Sequence, residues 1–189
     1  MIEAELKARV ADPDGLRAML AAAAGEPERA VYADTYLDRD GELAADGREL
    51  RVRTITTIPS ARTILTYKGA VLDAETGSKE ESETEVADRG QALAVLQGLG
   101  YKLAIEFTKR CENYRLATPA GRKVLATVVD VAEVDGVFLE VETMVETEAD
   151  MGDALDDLRA LLLDLELGPA TLTTELYTDA VAARRAQGD

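Results

Sequence analysis

From Glu3 to Lys7 the chain reads Glu-Ala-Glu-Leu-Lys. On a strand this sets Glu3, Glu5 and Lys7 on one face and Ala4 and Leu6 on the other, because side chains alternate between faces. The same two-residue alternation of charged with apolar or small residues returns at Leu50-Arg51-Val52-Arg53, at Thr66-Tyr67-Lys68, along Lys79–Val86 and at Leu139-Glu140-Val141-Glu142. Taken singly, each is accounted for by a strand with one face in water. Together they are not, since acids and bases are segregated by strand and the apolar partner recurs each time. If the sheet closes into a barrel, helices can cover the apolar outside while the charged faces line a lumen. Burying charges costs several kcal/mol each unless they are paired or bind metal, so such a lumen is expected to be wet.

The remaining sequence supplies the cover. Asp12-Pro13-Asp14-Gly15 opens an alanine-rich helix that stops at Gly25, with Leu16, Met19, Leu20 and Ala23 on one face. A second helix is expected from Gln91 to Leu99, and a third from Asp150 with a stripe of Leu155, Leu158, Leu162 and Leu165, closed by Gly168-Pro169. A last helix spans about Thr173 to Arg185 and turns Leu176, Tyr177 and Val181 inward. Turns fall at Asp40-Gly41, Asp46-Gly47, Pro119-Ala120-Gly121 and Asp135-Gly136, the last a hairpin signal. The three strands bearing Glu-x-Glu (Glu3/Glu5, Glu83/Glu85 and Glu140/Glu142) each precede a helix, a faint internal repeat. No linker divides the chain, so one domain over residues 1–189 is expected, of class α+β, with a closed antiparallel eight-stranded β-barrel and helices on its outside.

Charge narrows the function. With 37 acids against 21 bases the net charge is −16, which disfavours nucleic acid and anionic membrane as partners. The single cysteine, Cys111, permits no intrachain disulfide and suits a reducing cytoplasm. The charged start predicts no signal peptide, and no apolar run predicts a membrane span. With no histidine, a metal here is expected to be held by oxygen rather than in a tetrahedral zinc site. Paired carboxylates facing strands of arginine and lysine suit an anion that arrives with divalent cations, and polyphosphate with Mg²⁺ or Mn²⁺ fits that description.

Over nearly its whole length the chain also resembles the CYTH family, the triphosphate tunnel metalloenzymes. The resemblance rests on Glu3-x-Glu5-x-Lys7, Asp34-Thr35-Tyr36, Leu50-Arg51-Val52-Arg53, Thr66-Tyr67-Lys68-Gly69, Lys79 through Val86, Lys109, and Asp130 with Gly136-x-Phe138-x-Glu140-x-Glu142. In detail it is most similar to the class IV adenylyl cyclase branch. The resemblance implies a β-tunnel holding triphosphate by inward Lys and Arg. It implies metal, Mg²⁺ or Mn²⁺, on Glu3, Glu5, Asp130, Glu140 and Glu142, and phosphate on Lys7, Arg51, Arg53, Lys68 and Lys109. Glu3, Glu5 and Lys7 are the expected catalytic group; Lys79, Glu81, Glu83 and Glu85 are lumen residues without an assigned role.

Two departures stand out. Where the family carries Lys-x-Arg, this chain has Lys109-Arg110-Cys111, so that on a regular strand Cys111 faces inward and Arg110 outward. On that register Cys111→Arg is expected to tighten triphosphate binding; the alternative is a bulge that turns Arg110 inward and packs Cys111 as a small apolar residue. Lys79 stands where this branch often has arginine, keeping the charge but not the fork geometry. The implied function is conversion of ATP to cyclic AMP and pyrophosphate. The alternatives are hydrolysis of inorganic or thiamine triphosphate, or binding of polyphosphate or nucleotide without turnover. A cytoplasmic protein, with a homodimer among the expected assemblies, completes the expectation.

Overall fold

The computed structural model describes residues 1–118 and 120–188; Pro119, in one of the expected turns, lies outside the described residues. Among the described residues eight strands form the sheet. They are β1 (Ile2–Val10), β2 (Glu28–Asp38), β3 (Glu49–Thr56), β4 (Ala61–Val71), β5 (Lys79–Val86), β6 (Lys102–Ala117), β7 (Lys123–Val131) and β8 (Val137–Val145). Strands β3 to β5, and again β6 to β8, follow one another without a helix between. The sheet is antiparallel and closed, in the order β1-β5-β4-β3-β2-β6-β7-β8 and back to β1. Closure gives every strand one face toward the interior of the barrel and one toward its outside.

Among the described residues three α-helices connect strands, α1 (Pro13–Ala24), α2 (Glu42–Ala45) and α3 (Arg89–Gly98), and two follow the last strand, α4 (Glu148–Asp164) and α5 (Tyr177–Gln187). The caps are those the residues dictate. Asp12 accepts from the Gly15 amide at 3.1 Å with Pro13 in the first turn, and Gly25 ends α1 at φ 80°. Asp88 caps α3 through the Gln91 amide at 2.9 Å, so that helix begins two residues before its expected start. Each Glu-x-Glu strand (β1, β5, β8) does lead into a helix (α1, α3, α4).

Two apolar clusters lie outside the barrel. Ala4, Leu6 and Ala8 of β1, with Val141 of β8 and Ala126 and Val128 of β7, pack under Leu16 and Leu20 of α1 and Leu155, Leu158 and Leu162 of α4. Leu37, Leu50 and Val52 pack under Leu43 of α2 and Leu96 of α3. A third cluster is internal. Tyr36, Phe107, Cys111, Val129, Val131 and Phe138 share the inward parity of their strands and meet Tyr177 and Val181 of α5. Helix α5 thus caps an apolar plug at one end of the barrel. Among the described residues no helix is long and apolar enough to cross a membrane.

Candidate active site

The rest of the bore is a charged cavity of about 370 Å³, lined by Glu3, Glu5, Lys7, Glu49, Arg51, Arg53, Arg62, Lys68, Lys79, Glu81, Glu83, Lys109, Glu140 and Glu142. Carboxylates and cations line it in equal number, so the walls as a whole are close to neutral. What distinguishes them is where the two signs concentrate.

The acids converge where β1 meets β8. Glu5 lies directly opposite Glu142 and Lys7 opposite Glu140 in the ladder. Carboxylate oxygens of Glu3, Glu5 and Glu142 all lie within 4.8 Å of one another. Burial, and then Glu3 and Glu140, push the Glu5 carboxyl up to about 7. Burial, Glu3 and Glu5 push Glu142 well above the usual carboxylate range. Burial likewise raises Glu3, although Lys68 opposes it; the Lys68 ammonium contacts Glu3 directly and Glu81 at 3.1 Å. Three oxygen donors that repel one another and are only partly compensated by one ammonium fit a hard divalent cation.

Glu140 belongs to a different group. Its nearest cation is Lys109, at 3.8 Å, and despite burial Lys109 and Lys7 hold its carboxyl down at about 2. It reads as the counter-ion of these lysines rather than a fourth member of the acidic cluster. Asp130 is a correction. It has the outward parity of β7, is half exposed, and faces Arg110 at 4.0 Å, so it does not reach the bore and cannot join Glu3, Glu5 and Glu142 on a metal there. Glu85, at the open end of β5, is exposed and also stays off the cavity wall, whereas Lys79, Glu81 and Glu83 line it. Lys79 is committed to Glu49 at 2.5 Å.

The cations differ in how free they are. Arg53 donates Nε and Nη2 to the two oxygens of Asp34 at 2.6 and 2.8 Å. Burial would raise Asp34, but Arg53 holds it well below the usual range. Arg51 is more buried still, yet its contacts are loose: Thr66 Oγ1 at 3.4 Å and Glu83 at 3.7 Å, with Nε lacking any partner among the described residues. Lys7 donates to the Glu175 carbonyl at 2.9 Å. Asp34, Glu49, Arg62 and Tyr177 are bore or bore-wall residues that the sequence did not single out for a role. The signal for Glu49 was in plain view, since it has the parity of Arg51 and Arg53. Tyr177 had no such signal, because its heptad-like spacing reads as core.

The register of β6 shifts against β2 opposite Tyr36 and Leu37 but is regular around Arg110 and Cys111. Arg110 pairs with Asp130 and Cys111 with Val129, with no bulge between them. Arg110 is therefore outward and exposed, and Cys111 inward and 2% exposed, as a regular strand requires. The space around Cys111 is another matter, for it belongs to the apolar plug, and burial pushes its thiol up to about 12. We therefore expect Cys111→Arg to destabilise the fold by about 3 kcal/mol or more, through overpacking and a buried unpaired charge. Cys111→Val is expected to stay within about 1.5 kcal/mol of wild type. Urea unfolding of the two variants checks this, and the sequence expectation of tighter triphosphate binding by Cys111→Arg gives way to it.

A closed eight-stranded tunnel with an acid cluster on one wall and guanidinium and ammonium groups on the others defines a class of charged β-tunnel proteins. The chain belongs to the CYTH domain family, whose model matches residues 1–177. Over 181 residues it is 22% identical to a Methanocaldococcus jannaschii protein named "Putative adenylate cyclase", covering 95% of this chain and 98% of that one. Among solved structures it is similar to the PH1819 protein of Pyrococcus horikoshii, with a TM-score of 0.84 at 23% identity over 97% of this chain and 99% of the other. It is also similar to a Hippeastrum protein named "Putative adenylyl cyclase" and described as having a dominant triphosphatase activity. There the TM-score is 0.62 at 17% identity, over 97% and 96% of the two chains.

Proposed function

We propose that the protein is a metal-dependent enzyme acting on the triphosphate group of a small molecule inside the bore. The observation that carries this is the convergence, in one cavity of the barrel, of the Glu3/Glu5/Glu142 cluster with the buried cations Arg51, Arg53, Lys68 and Lys109. A neutral wall holds a polyanion only if the anion brings cations with it, and the three-carboxylate cluster is where such a cation would be held. Mg²⁺ or Mn²⁺ on Glu3, Glu5 and Glu142 would supply charge neutralisation on phosphoryl oxygens.

The chain's own groups do the rest. Arg51, with an uncommitted Nε, is the guanidinium best able to grip phosphoryl oxygens bidentately. Lys7 and Lys109 add ammonium donors, with the Glu140 carboxylate, 3.8 Å from Lys109, as their counter-ion. As charge grows on the phosphoryl oxygens during bond breaking, these fixed cations stabilise it without reorganising. With Glu3 given over to a metal, Lys68 would retain Glu81 at 3.1 Å and be available as a further donor.

Two reactions fit this bore. In the first, favoured by the name of the M. jannaschii relative, the ribose 3′-oxygen of ATP bonds to the α-phosphorus and pyrophosphate leaves. In the second, favoured by the activity described for the Hippeastrum protein, a water oxygen bonds to the terminal phosphorus and pyrophosphate or a diphosphate leaves. Incubating the protein with ATP, inorganic triphosphate and thiamine triphosphate, with Mg²⁺ or Mn²⁺, separates them. Cyclic AMP with pyrophosphate identifies the cyclase, orthophosphate the hydrolase. No product from any of the three, with binding retained, would leave only a binding protein.

A further inference from the structure

Tyr177 is the first residue of α5 and reaches the bore from outside the barrel wall. Its ring meets Phe138 edge-on, with centroids 5.3 Å apart. Two ammonium groups lie against it, Lys109 Nζ at 4.2 Å and Lys7 Nζ at 4.5 Å from the centroid. Like charges on one ring repel. What holds them together is the ring's negative face and the Glu140 carboxylate, 3.8 Å from Lys109. One carboxylate between two ammonium groups leaves this corner of the bore net positive.

The tyrosine hydroxyl adds a second, independent observation. Tyr177 is 5% exposed, and its Oη is fully buried beside the Glu140 carboxylate, with which it makes no hydrogen bond of normal geometry, nor with any other group among the described residues. A buried donor held only by a poorly aligned acceptor costs free energy, so native structures rarely keep one without a use. Burial and the Glu140 carboxylate also push the phenol far above its ordinary value, so it remains an O–H donor throughout the accessible pH range.

We propose that Tyr177 is a ligand-binding residue of the triphosphate site, its ring holding Lys7 and Lys109 as a pair and its hydroxyl donating to a phosphoryl oxygen beside them. This rests on the reading of the bore as a triphosphate site. It also gives α5 a role beyond closing the barrel, since docking of the helix completes the anion site. The packing contribution of the ring and the hydrogen bond of the hydroxyl are separable by substitution.

The test is calorimetric titration of inorganic triphosphate with Mn²⁺ into wild type, Tyr177→Phe and Tyr177→Leu, with the melting temperature of each free protein. Because the hydroxyl has only the poorly aligned Glu140 carboxylate as a partner, Tyr177→Phe should change the melting temperature of the free protein by no more than about 2 °C, while triphosphate binds about five-fold more weakly, as for one lost hydrogen bond. Stability and affinity then move independently, which a merely structural tyrosine would not produce. Tyr177→Leu, which also loses the ring, should bind more weakly again. Binding by Tyr177→Phe within two-fold of wild type would overturn the role of the hydroxyl, and Tyr177→Leu binding no more weakly than Tyr177→Phe would overturn that of the ring. A wild type that does not bind triphosphate at all would instead overturn the reading of the bore.

Discussion

Glu5→Gln is expected to raise the melting temperature of the metal-free protein and, at the same time, to abolish turnover. The Glu5 carboxyl is pushed from 4.5 to about 7 by burial and by Glu3 and Glu140. That difference corresponds to about 3 kcal/mol of native-state destabilisation at neutral pH and above. Because the folded value lies above the unfolded one, stability from this group is intact below about pH 4.5, falls as pH rises, and is fully lost above about pH 7. Glutamine removes the charge without changing the shape. The melting temperature at pH 8 should therefore rise by roughly 5–10 °C for a chain of this size, and by little at pH 4.5. Divalent metal should stabilise wild type and do so less for the variant, since binding to the native state alone stabilises by mass action. Turnover should fall by more than about 100-fold, beyond the range seen for outer-shell changes. Thermal melts at the two pH values, with and without Mn²⁺, check the first part, and product release checks the second. A Glu5→Gln protein less stable than wild type at pH 8 without metal would show that the cluster is not repulsive.

The second large effect separates two arginines that look alike in sequence. Arg53→Ala leaves Asp34, whose side chain is wholly buried, without its bidentate partner. Orphaning a buried charge costs about 3–5 kcal/mol, so the melting temperature should fall by roughly 10 °C or more. Weaker triphosphate binding by this variant would then report damage to the wall as much as a lost contact. Arg51→Ala removes a guanidinium with only loose contacts to Thr66 and Glu83. It should change stability little and weaken triphosphate about 10–100-fold, as for the loss of one or two charge-assisted hydrogen bonds. Melting curves and binding titrations on both variants distinguish the roles. Equal losses of stability in the two would contradict the assignment of Arg53 to Asp34.

Much of this arrangement was legible in the sequence, for a physical reason. The two-residue period of a strand fixes which face each side chain takes, so Glu3, Glu5, Lys7, Arg51, Arg53, Lys68, Lys109 and Glu142 could be sent inward before any coordinates existed. The outward Arg110 and inward Cys111 follow from the same rule. What alternation cannot convey is depth along the bore and distance across it. That is why Glu140 and Glu142, two residues apart on one strand, fell into one expected metal set although Glu140 sits among lysines. Asp130 was assigned from the family pattern rather than from parity, and parity alone would have turned it outward, opposite Arg110. Tyr177 shows another limit. Its spacing with Val181 reads as a packed helix face, and it is one, but the surface it packs on includes two lysines of the tunnel wall. The expected helix start at Thr173 was also four residues early: the segment before Tyr177 runs along β1, with the Thr173 amide bonded to the Lys7 carbonyl at 2.9 Å.

The central claim is that the bore takes a triphosphate together with a divalent metal, the metal on Glu3, Glu5 and Glu142 and the phosphates on the cations facing them. Titration of inorganic triphosphate into wild-type protein, in Mn²⁺ and again in EDTA, tests it most directly. The account predicts one saturable site in Mn²⁺ and affinity at least ten-fold weaker in EDTA, because walls of balanced charge hold a polyanion poorly without the metal. Equal affinity in Mn²⁺ and EDTA, or no binding in either, would contradict it.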